Sequence, residues 1–181
     1  FDLDGTLLDT LADLANAMNR VLAAEGLPTH AADAYRTFVG DGVRALTQRV
    51  LPPSHHAPGA IARLMAAMRD DYAHSWGVTT RPYAGIAALL DGLVARGVRL
   101  AILSNKPDDF TRTMVAHYLG AWPFEDVRGL VEGGPRKPNP GAAHEILAAM
   151  GVPPSEAWFV GDTSIDIRTG LALGCRPVGV S

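Results

Sequence analysis

Apolar residues in the first part of the chain recur with helical spacing and predict four helices before residue 80. The first predicted helix covers residues 11–25, where Thr10 and Asp13 give a T-x-x-D start signal and Gly26 a stop. The other three are predicted at 31–38, from the glycine loop VGDG to Pro52, and at 60–76. Residues 11–80 are therefore predicted to be all helical.

The pattern changes after the segment RPYAG at 81–85, because short apolar runs then alternate with helices. The predicted strands are VRLAILS at 98–104, a weak strand near 127–131, AWFV at 157–160 and PVGV at 177–180. The predicted helices cover 86–96, 110–119, a segment from Pro140 to 150, and one ending at 173. This alternation predicts an α/β fold with a Rossmann-like parallel sheet core, formed by 1–10 and 81–181 around an all-helical insert at 11–80.

Composition narrows the classes of partner. The chain has 181 residues, a net charge of −3 and no basic run, so we expect no nucleic-acid partner. No stretch approaches the ~18 apolar residues of a membrane span, so we expect no membrane partner. A single cysteine, Cys175, excludes an internal disulfide and favours a reducing, cytoplasmic compartment.

Both ends of the sequence lie close to predicted strands. Only Phe1 precedes Asp2, although a strand usually has about 5–6 residues. The other end stops inside the apolar run RPVGVS. We therefore expect the sequence to start and end inside a longer natural chain.

Three polar segments, DLDGT, SNK and GDTSID, follow predicted strands. Each alone is more often a turn or a helix cap than a site. Parallel sheets, however, bind ligands at the carboxyl ends of their strands. Four carboxylates would converge there and repel one another without a cation, and such hard oxygen ligands suit Mg²⁺. These carboxylates belong to Asp2, Asp4, Asp162 and Asp166.

The segments FDLDGTLLDT, LSNK, RKPNP and GDTSID resemble, in order and spacing, the four signature motifs of the haloacid dehalogenase-like phosphatase superfamily. The helical insert after the first motif resembles the first type of cap domain in that superfamily. The strings FVGDGVRALTQRVLP, RPYAGI and SNKPDDFT are most similar to phosphoglycolate phosphatases. The resemblance covers essentially the whole chain.

The resemblance implies a role for each carboxylate. Asp2 would be the nucleophile that forms an aspartyl-phosphate, and Asp4 the general acid/base. Asp2, the backbone carbonyl of Asp4 and Asp162 would hold Mg²⁺. Asp166 would support the metal or the motif lysine from outside.

The resemblance also assigns the other motif residues. Ser104 and Asn105 would hydrogen-bond the phosphoryl oxygens, and Lys137 would neutralise the nucleophile and the transferred group. Lysine is rare in this chain, with 2 lysines against 14 arginines, and both lysines fall in motifs. Because the second motif depends mainly on Ser104, we expect Lys106 to matter less than Lys137.

The implied activity is Mg²⁺-dependent hydrolysis of a small phosphorylated metabolite, with 2-phosphoglycolate as the leading substrate. Asp4 disfavours halide displacement, and the absence of lysine before Lys106 disfavours the phosphonate-hydrolysing branch. Hydrolysis of a sugar phosphate, a nucleotide or pyrophosphate remains open, as does a phosphomutase. A phosphate-binding module without catalysis is the alternative outside the enzymes. The sequence leaves the oligomeric state open.

The segment VGDGVRAL is the candidate reader of the leaving group. Gly42 opens the third helix, whose N-terminus would favour a substrate carboxylate. Arg44 would add a bidentate contact. Asp41 counts against an anionic leaving group unless its side chain points away.

Overall fold

A computed structural model describes residues 1–181, which divide into two compact units. The first unit contains Phe1–Leu8 and Pro82–Ser181, and the second contains Asp9–Arg81. The chain passes between the units through two short paired strands, β1 (Leu8–Asp9) and β2 (Arg81–Pro82).

The second unit is helical. Its long helices, α1 (Leu11–Ala24) and α4 (Pro58–Ser75), bury apolar side chains three or four positions apart, which is the spacing of one helix face. Two shorter helices complete it, α2 (Tyr35–Phe38) and α3 (Val43–Val50), together with 3₁₀ turns at Ala32–Ala34 and Pro53–His55. The buried residues of α1 and α4 include Met18, Val21, Leu22, Ile61, Leu64, Met68 and Tyr72.

The first unit alternates strands and helices, as the sequence predicts. Its elements after β2 are α5 (Ile86–Val94), β3 (Leu100–Pro107), α6 (Asp108–Leu119), β4 (Phe124–Leu130), α7 (Gly141–Met150), β5 (Trp158–Gly161), α8 (Ser164–Leu173) and β6 (Arg176–Gly179), with a 3₁₀ turn at Pro154–Glu156.

The opening residues join two parallel strand pairs, β3 with β4 and β5 with β6. The Phe1 nitrogen donates to the Ala101 carbonyl, and Leu103 N donates to the Phe1 carbonyl, each at 2.9 Å. On the other side, Asp2 N donates to the Val160 carbonyl at 2.9 Å. The Phe1–Asp2 segment therefore lies between β3 and β5, and the predicted α/β fold with a parallel sheet is confirmed.

Helices pack against this sheet through a buried apolar cluster. Leu103 of β3 and Phe159 of β5 contribute from the sheet, and α7 and α8 contribute most of the rest. The cluster consists of Leu103, Ala143, Ile146, Met150, Phe159, Leu173 and Cys175. This packing fixes the carboxyl ends of β3 and β5 on either side of Asp2.

Three local predictions need correction. Thr10 is the residue before α1, but its side chain makes no capping bond, because its backbone has a φ of −106° and a ψ of −2° instead of the extended angles of a capping residue. The Asp13 carboxylate accepts hydrogen bonds from Thr79 and Thr80. Pro140 precedes α7 rather than opening it. The segment predicted as one helix at 31–38 is a 3₁₀ turn followed by the short α2.

Candidate active site

A tight turn follows the central segment of the sheet and directs the opening motif. The N–H groups of Leu7 and Leu8 both donate to the Leu3 carbonyl at 3.0 Å, and Gly5 has a φ of +83°. A Cβ added at Gly5 would lie 2.3 Å from Asp162 Oδ2. The position therefore requires glycine twice, for its backbone angle and for the close approach of Asp162.

Three carboxylates meet at the carboxyl ends of the central strands. Oxygen atoms of Asp2, Asp162 and Asp166 lie within 4.8 Å of one another. The Lys137 ammonium lies 2.8 Å from Asp2 Oδ1 and 2.7 Å from Asp166 Oδ1. Asp2, Asp166 and Lys137 are all buried. One ammonium therefore contacts two of the three carboxylates in a setting that screens charge poorly.

Burial and charge shift the ionisation of this cluster. Burial raises the pKa of Asp2 to about 6, against the opposing effect of Lys137, and the Asp166 carboxylate adds to the rise. Burial alone would lower the pKa of Lys137, but the carboxylates of Asp2 and Asp166 outweigh it and raise that pKa. The Lys137 side chain is therefore a cation at neutral pH.

Hydrogen bonds hold the two downstream aspartates in different ways. Asp166 Oδ2 accepts from the backbone N–H of Thr163 at 3.0 Å and from its hydroxyl at 2.6 Å, while Oδ1 accepts from Lys137. A Cβ at Gly161 would lie 2.3 Å from the Asp166 Cβ, so glycine makes room for this side chain. Asp162 is exposed and accepts one hydrogen bond from the Thr6 hydroxyl at 2.9 Å. Asp166 is thus fully engaged within the protein, whereas Asp162 lies at the open side.

The donor set fits a hard divalent cation. Asp2 and Asp162 offer carboxylate oxygens in one small space, and a single lysine leaves the negative charge of the cluster uncompensated. Carboxylate oxygens are the ligands that Mg²⁺ prefers. Asp166, with both oxygens already engaged, supports the arrangement through Lys137 and Thr163.

The Asp4 carboxylate, expected to converge with the other three, is not part of this cluster, because it pairs with a lysine of its own. The Lys106 ammonium donates to Asp4 Oδ1 at 3.0 Å and to Oδ2 at 3.1 Å. The Lys106 side chain is 3% exposed and that of Asp4 is 22% exposed. The two opening aspartates therefore belong to two separate ion pairs, one with each lysine of the chain.

Ser104 and Asn105 are buried in the second half of β3, and their predicted contacts with phosphoryl oxygens stay predictions. The Asn105 side chain accepts from Lys137 N at 2.8 Å and donates to the Lys137 carbonyl at 3.2 Å. This amide therefore holds the backbone of the lysine segment, a contact that the sequence did not indicate. Ser104 Oγ accepts from Lys106 N at 3.3 Å.

The predicted leaving-group reader lies in the helical unit. Gly42 precedes α3 with a φ of +83°, and Arg44 is exposed in the first turn of that helix. Asp41 forms an ion pair with Arg49, so its charge is balanced within the same unit. The substrate contacts assigned to Gly42 and Arg44 stay predictions.

Sequence reasoning missed three residues that shape the site. Thr6 and Thr163 orient Asp162 and Asp166, and both follow a motif aspartate or glycine directly. The motifs identify Lys106 as a motif lysine but give it no place in the site. The signal that points to it is composition, because a lysine in an arginine-rich chain indicates a position that needs the compact ammonium.

The whole chain matches one family. Residues 1–180 match the haloacid dehalogenase-like hydrolase family, and the chain belongs to it. The resemblance drawn from the motifs is confirmed.

Two relatives align with nearly the whole chain at about one-third sequence identity. The sequence is 32% identical over 176 residues to the phosphoglycolate phosphatase of Aquifex aeolicus, covering 97% of this chain and 80% of that protein. It is 34% identical over 185 residues to the phosphoglycolate phosphatase of Pseudomonas putida, covering 100% of this chain and 68% of that protein.

A solved structure shows the same fold. A crystal structure of a protein from Lactobacillus delbrueckii subsp. bulgaricus superimposes with a TM-score of 0.92 at 28% identity, covering 99% of this chain and 83% of that one.

None of the helices of the present chain combines the length and apolar character needed to cross a lipid bilayer.

Proposed function

We propose that this chain is a Mg²⁺-dependent phosphomonoester hydrolase that works through an aspartyl-phosphate on Asp2, with 2-phosphoglycolate as its substrate. The observation that carries the proposal is the pairing of Asp2 with Lys137 beside Asp162, with Asp4 two residues further along. Family membership and the relatives named as phosphoglycolate phosphatases support it.

In the first half-reaction, an Asp2 carboxylate oxygen attacks phosphorus, and the bond from phosphorus to the ester oxygen breaks. The electron pair of that bond goes to the leaving oxygen, which takes a proton from the Asp4 carboxyl. Lys137, 2.8 Å from Asp2 Oδ1, offsets the repulsion between the nucleophile and the phosphate. The products are the free alcohol and phosphorylated Asp2.

In the second half-reaction, the Asp4 carboxylate removes a proton from water, and the water oxygen attacks phosphorus. The bond between Asp2 and phosphorus breaks, its electron pair returns to the carboxylate, and inorganic phosphate leaves. Asp4 ends protonated, ready for the next substrate. Each proton that Asp4 gives in one half is recovered in the other.

The remaining residues bind and orient. Ser104 and Asn105, in the second half of β3, would hydrogen-bond the phosphoryl oxygens, and the Asn105 amide would also hold the Lys137 segment in place. Asp2, the Asp4 carbonyl and Asp162 would hold Mg²⁺, which supplies charge stabilisation for the transferred group. The helical unit would be the cap predicted from sequence, with Gly42 and Arg44 facing the substrate carboxylate.

A panel of phosphate monoesters tests the proposal. Turnover is measured in excess chelator and again after Mg²⁺ is restored. We expect 2-phosphoglycolate to give a higher kcat/KM than hexose phosphates and nucleoside phosphates. We expect Arg44→Ala to reduce kcat/KM for 2-phosphoglycolate more than kcat/KM for an ester with a neutral leaving group. A preference for hexose phosphates or nucleotides would refute the assignment of 2-phosphoglycolate but leave the proposed mechanism intact. Phosphate binding without turnover would indicate a binding module and refute catalysis.

A further inference from the structure

Each of the two lysines of the chain forms an ion pair with one of the two opening aspartates. The chain has 14 arginines and only Lys106 and Lys137, and both lysine side chains are almost fully buried. Lys137 contacts Asp2, and Lys106 contacts Asp4. The proposed mechanism gives Lys137 a task but leaves Lys106 without one.

The contact between Lys106 and Asp4 restricts how the carboxylate can turn. The Lys106 ammonium lies 3.0 and 3.1 Å from the two Asp4 oxygens, so rotation of the carboxylate would break at least one hydrogen bond. The Asp4 side chain is otherwise partly open to solvent. An acid/base group must keep an oxygen within hydrogen-bond reach of the reacting oxygen.

The backbone of Lys106 is itself held in place. The Lys106 carbonyl accepts from the Thr111 hydroxyl at 3.2 Å, and Lys106 N donates to Ser104 Oγ at 3.3 Å. A Cβ at Gly129 of β4 would lie 2.6 Å from that carbonyl, so the neighbouring strand packs directly against it. The ammonium is therefore presented to Asp4 from a fixed point of the sheet.

We propose that Lys106 is a positioning residue that holds the Asp4 carboxyl in its working orientation during both half-reactions. This inference rests on the proposed function, because it gives Asp4 the acid/base role. A lysine suits this buried position because its ammonium is compact, whereas the planar guanidinium of an arginine needs more room beside Asp4. The sequence expectation that Lys106 matters less than Lys137 stays a prediction, and the structure adds that Lys106 acts as a partner of Asp4.

A double-mutant cycle on kcat tests this role with Lys106→Met, Asp4→Asn and the double variant. We expect Lys106→Met to reduce kcat for 2-phosphoglycolate by about 10²-fold, because a misplaced catalytic group costs about that much. In the Asp4→Asn background, the same change is expected to cost less than about threefold, since contacting residues of one function are not additive. Full multiplicative losses would mean that Lys106 acts independently of Asp4 and would overturn the inference.

The leaving group gives a second readout that a purely structural role would not move. With p-nitrophenyl phosphate, whose leaving group needs no proton, we expect Lys106→Met to keep the initial burst of nitrophenolate and to accumulate phosphoenzyme. Equal losses in burst and steady-state rate would contradict the inference. Arg112→Met is the matched control, because it removes a cation from the exposed pair with Asp108 just along the chain.

Folding and the proposed function are controlled separately. If Lys106→Met does not fold, as judged by its melting temperature, Lys106→Arg serves in the same cycle, with the same non-additivity expected. A parent that hydrolyses no phosphate ester in Mg²⁺ would overturn the proposed function and this inference together. An active parent with a multiplicative cycle would overturn only the inference.

Discussion

At the scale of single residues, the buried ammonium of Lys137 is shared between two carboxylates. The contacts are 2.8 Å to Asp2 and 2.7 Å to Asp166, and the side chain is 2% exposed, so a larger group would have to displace its neighbours. A guanidinium carries the same charge but is planar and larger. Charge and shape can therefore be separated at this position.

We expect Lys137→Arg to keep the fold and lose about 10²-fold in kcat, the typical cost of losing one well-placed charge contact. The measurement is kcat with 2-phosphoglycolate, with the melting temperature as the fold control. Arg136→Lys is the matched control, because it exchanges the same two residue types at the exposed neighbouring position. A Lys137→Arg variant within a few-fold of the parent would mean that charge alone matters.

Gly5 tests whether the turn must leave room for Asp162. Gly5→Ala places a Cβ 2.3 Å from Asp162 Oδ2, whereas Gly85, with a similar φ of +88°, has nothing within 4 Å. Both substitutions cost about 1–2 kcal/mol of stability for the left-handed backbone. Only Gly5→Ala is expected to lose about 10²-fold in kcat, because it also displaces a site carboxylate. Equal activities for the two variants would contradict the steric role of Gly5.

At the scale of elements, Asp13 ties together the two ends of the helical unit. Its carboxylate accepts hydrogen bonds from the N–H and hydroxyl groups of both Thr79 and Thr80, at 2.7 to 3.1 Å. Burial alone would raise the pKa of Asp13, but these hydrogen bonds outweigh it and lower the pKa below its ordinary value of 3.8. The ionised form of Asp13 therefore stabilises the folded unit.

The sign of the shift fixes the pH dependence. A carboxyl with a lowered folded-state pKa stabilises fully above its unfolded pKa, and loses that contribution as the pH falls through the folded value. We expect Asp13→Asn to lower stability by about 1–3 kcal/mol at pH 7. The difference in melting temperature from the parent should shrink below about pH 4. Asp33→Asn, at an exposed site of the same unit, is the control, and a pH-independent difference for Asp13→Asn would contradict the assignment.

The sequence predicts elements well where apolar spacing is local and poorly where polar residues join a strand. α1 and α4 follow from their buried faces, and the predicted bounds differ from the observed ones by two residues or fewer. β3 instead continues through Ser104–Lys106 to Pro107, beyond its apolar run. Those polar residues extend the strand because β4 and the site bury them, which no local pattern records.

The candidate site is also predictable from the sequence only in part. The motifs predict that the carboxylates of Asp2, Asp4, Asp162 and Asp166 converge, and three of them do, whereas Asp4 pairs with Lys106. The partners of individual side chains were not predictable. Asp4 and Lys106 are 102 positions apart, and Asn105 and Lys137 are 32 apart, so only the folded sheet brings them together.

At the scale of the whole molecule, the proposed binding of Mg²⁺ at the acidic cluster predicts that folding depends on the cation. A ligand that binds only the folded state at about 100 times its Kd stabilises that state by about 2.7 kcal/mol. We expect Mg²⁺ to raise the melting temperature and Asp162→Asn to abolish the rise. Glu125→Gln, which removes an exposed carboxylate of the same unit, should retain it. A parent whose melting temperature and turnover are insensitive to Mg²⁺ and chelator would contradict the metal site.

The location of the phosphoenzyme tests the central claim most directly. The Asp4→Asn variant, mixed with p-nitrophenyl phosphate and quenched in acid, should hold phosphate that its second half-reaction releases slowly. Borohydride reduction of an aspartyl-phosphate gives homoserine, which peptide mass spectrometry can place in the sequence. We expect homoserine at position 2, and none in an Asp2→Asn/Asp4→Asn double variant treated in the same way. Homoserine at any other position, or a phosphoenzyme that survives the loss of Asp2, would contradict the assignment of Asp2 as the nucleophile.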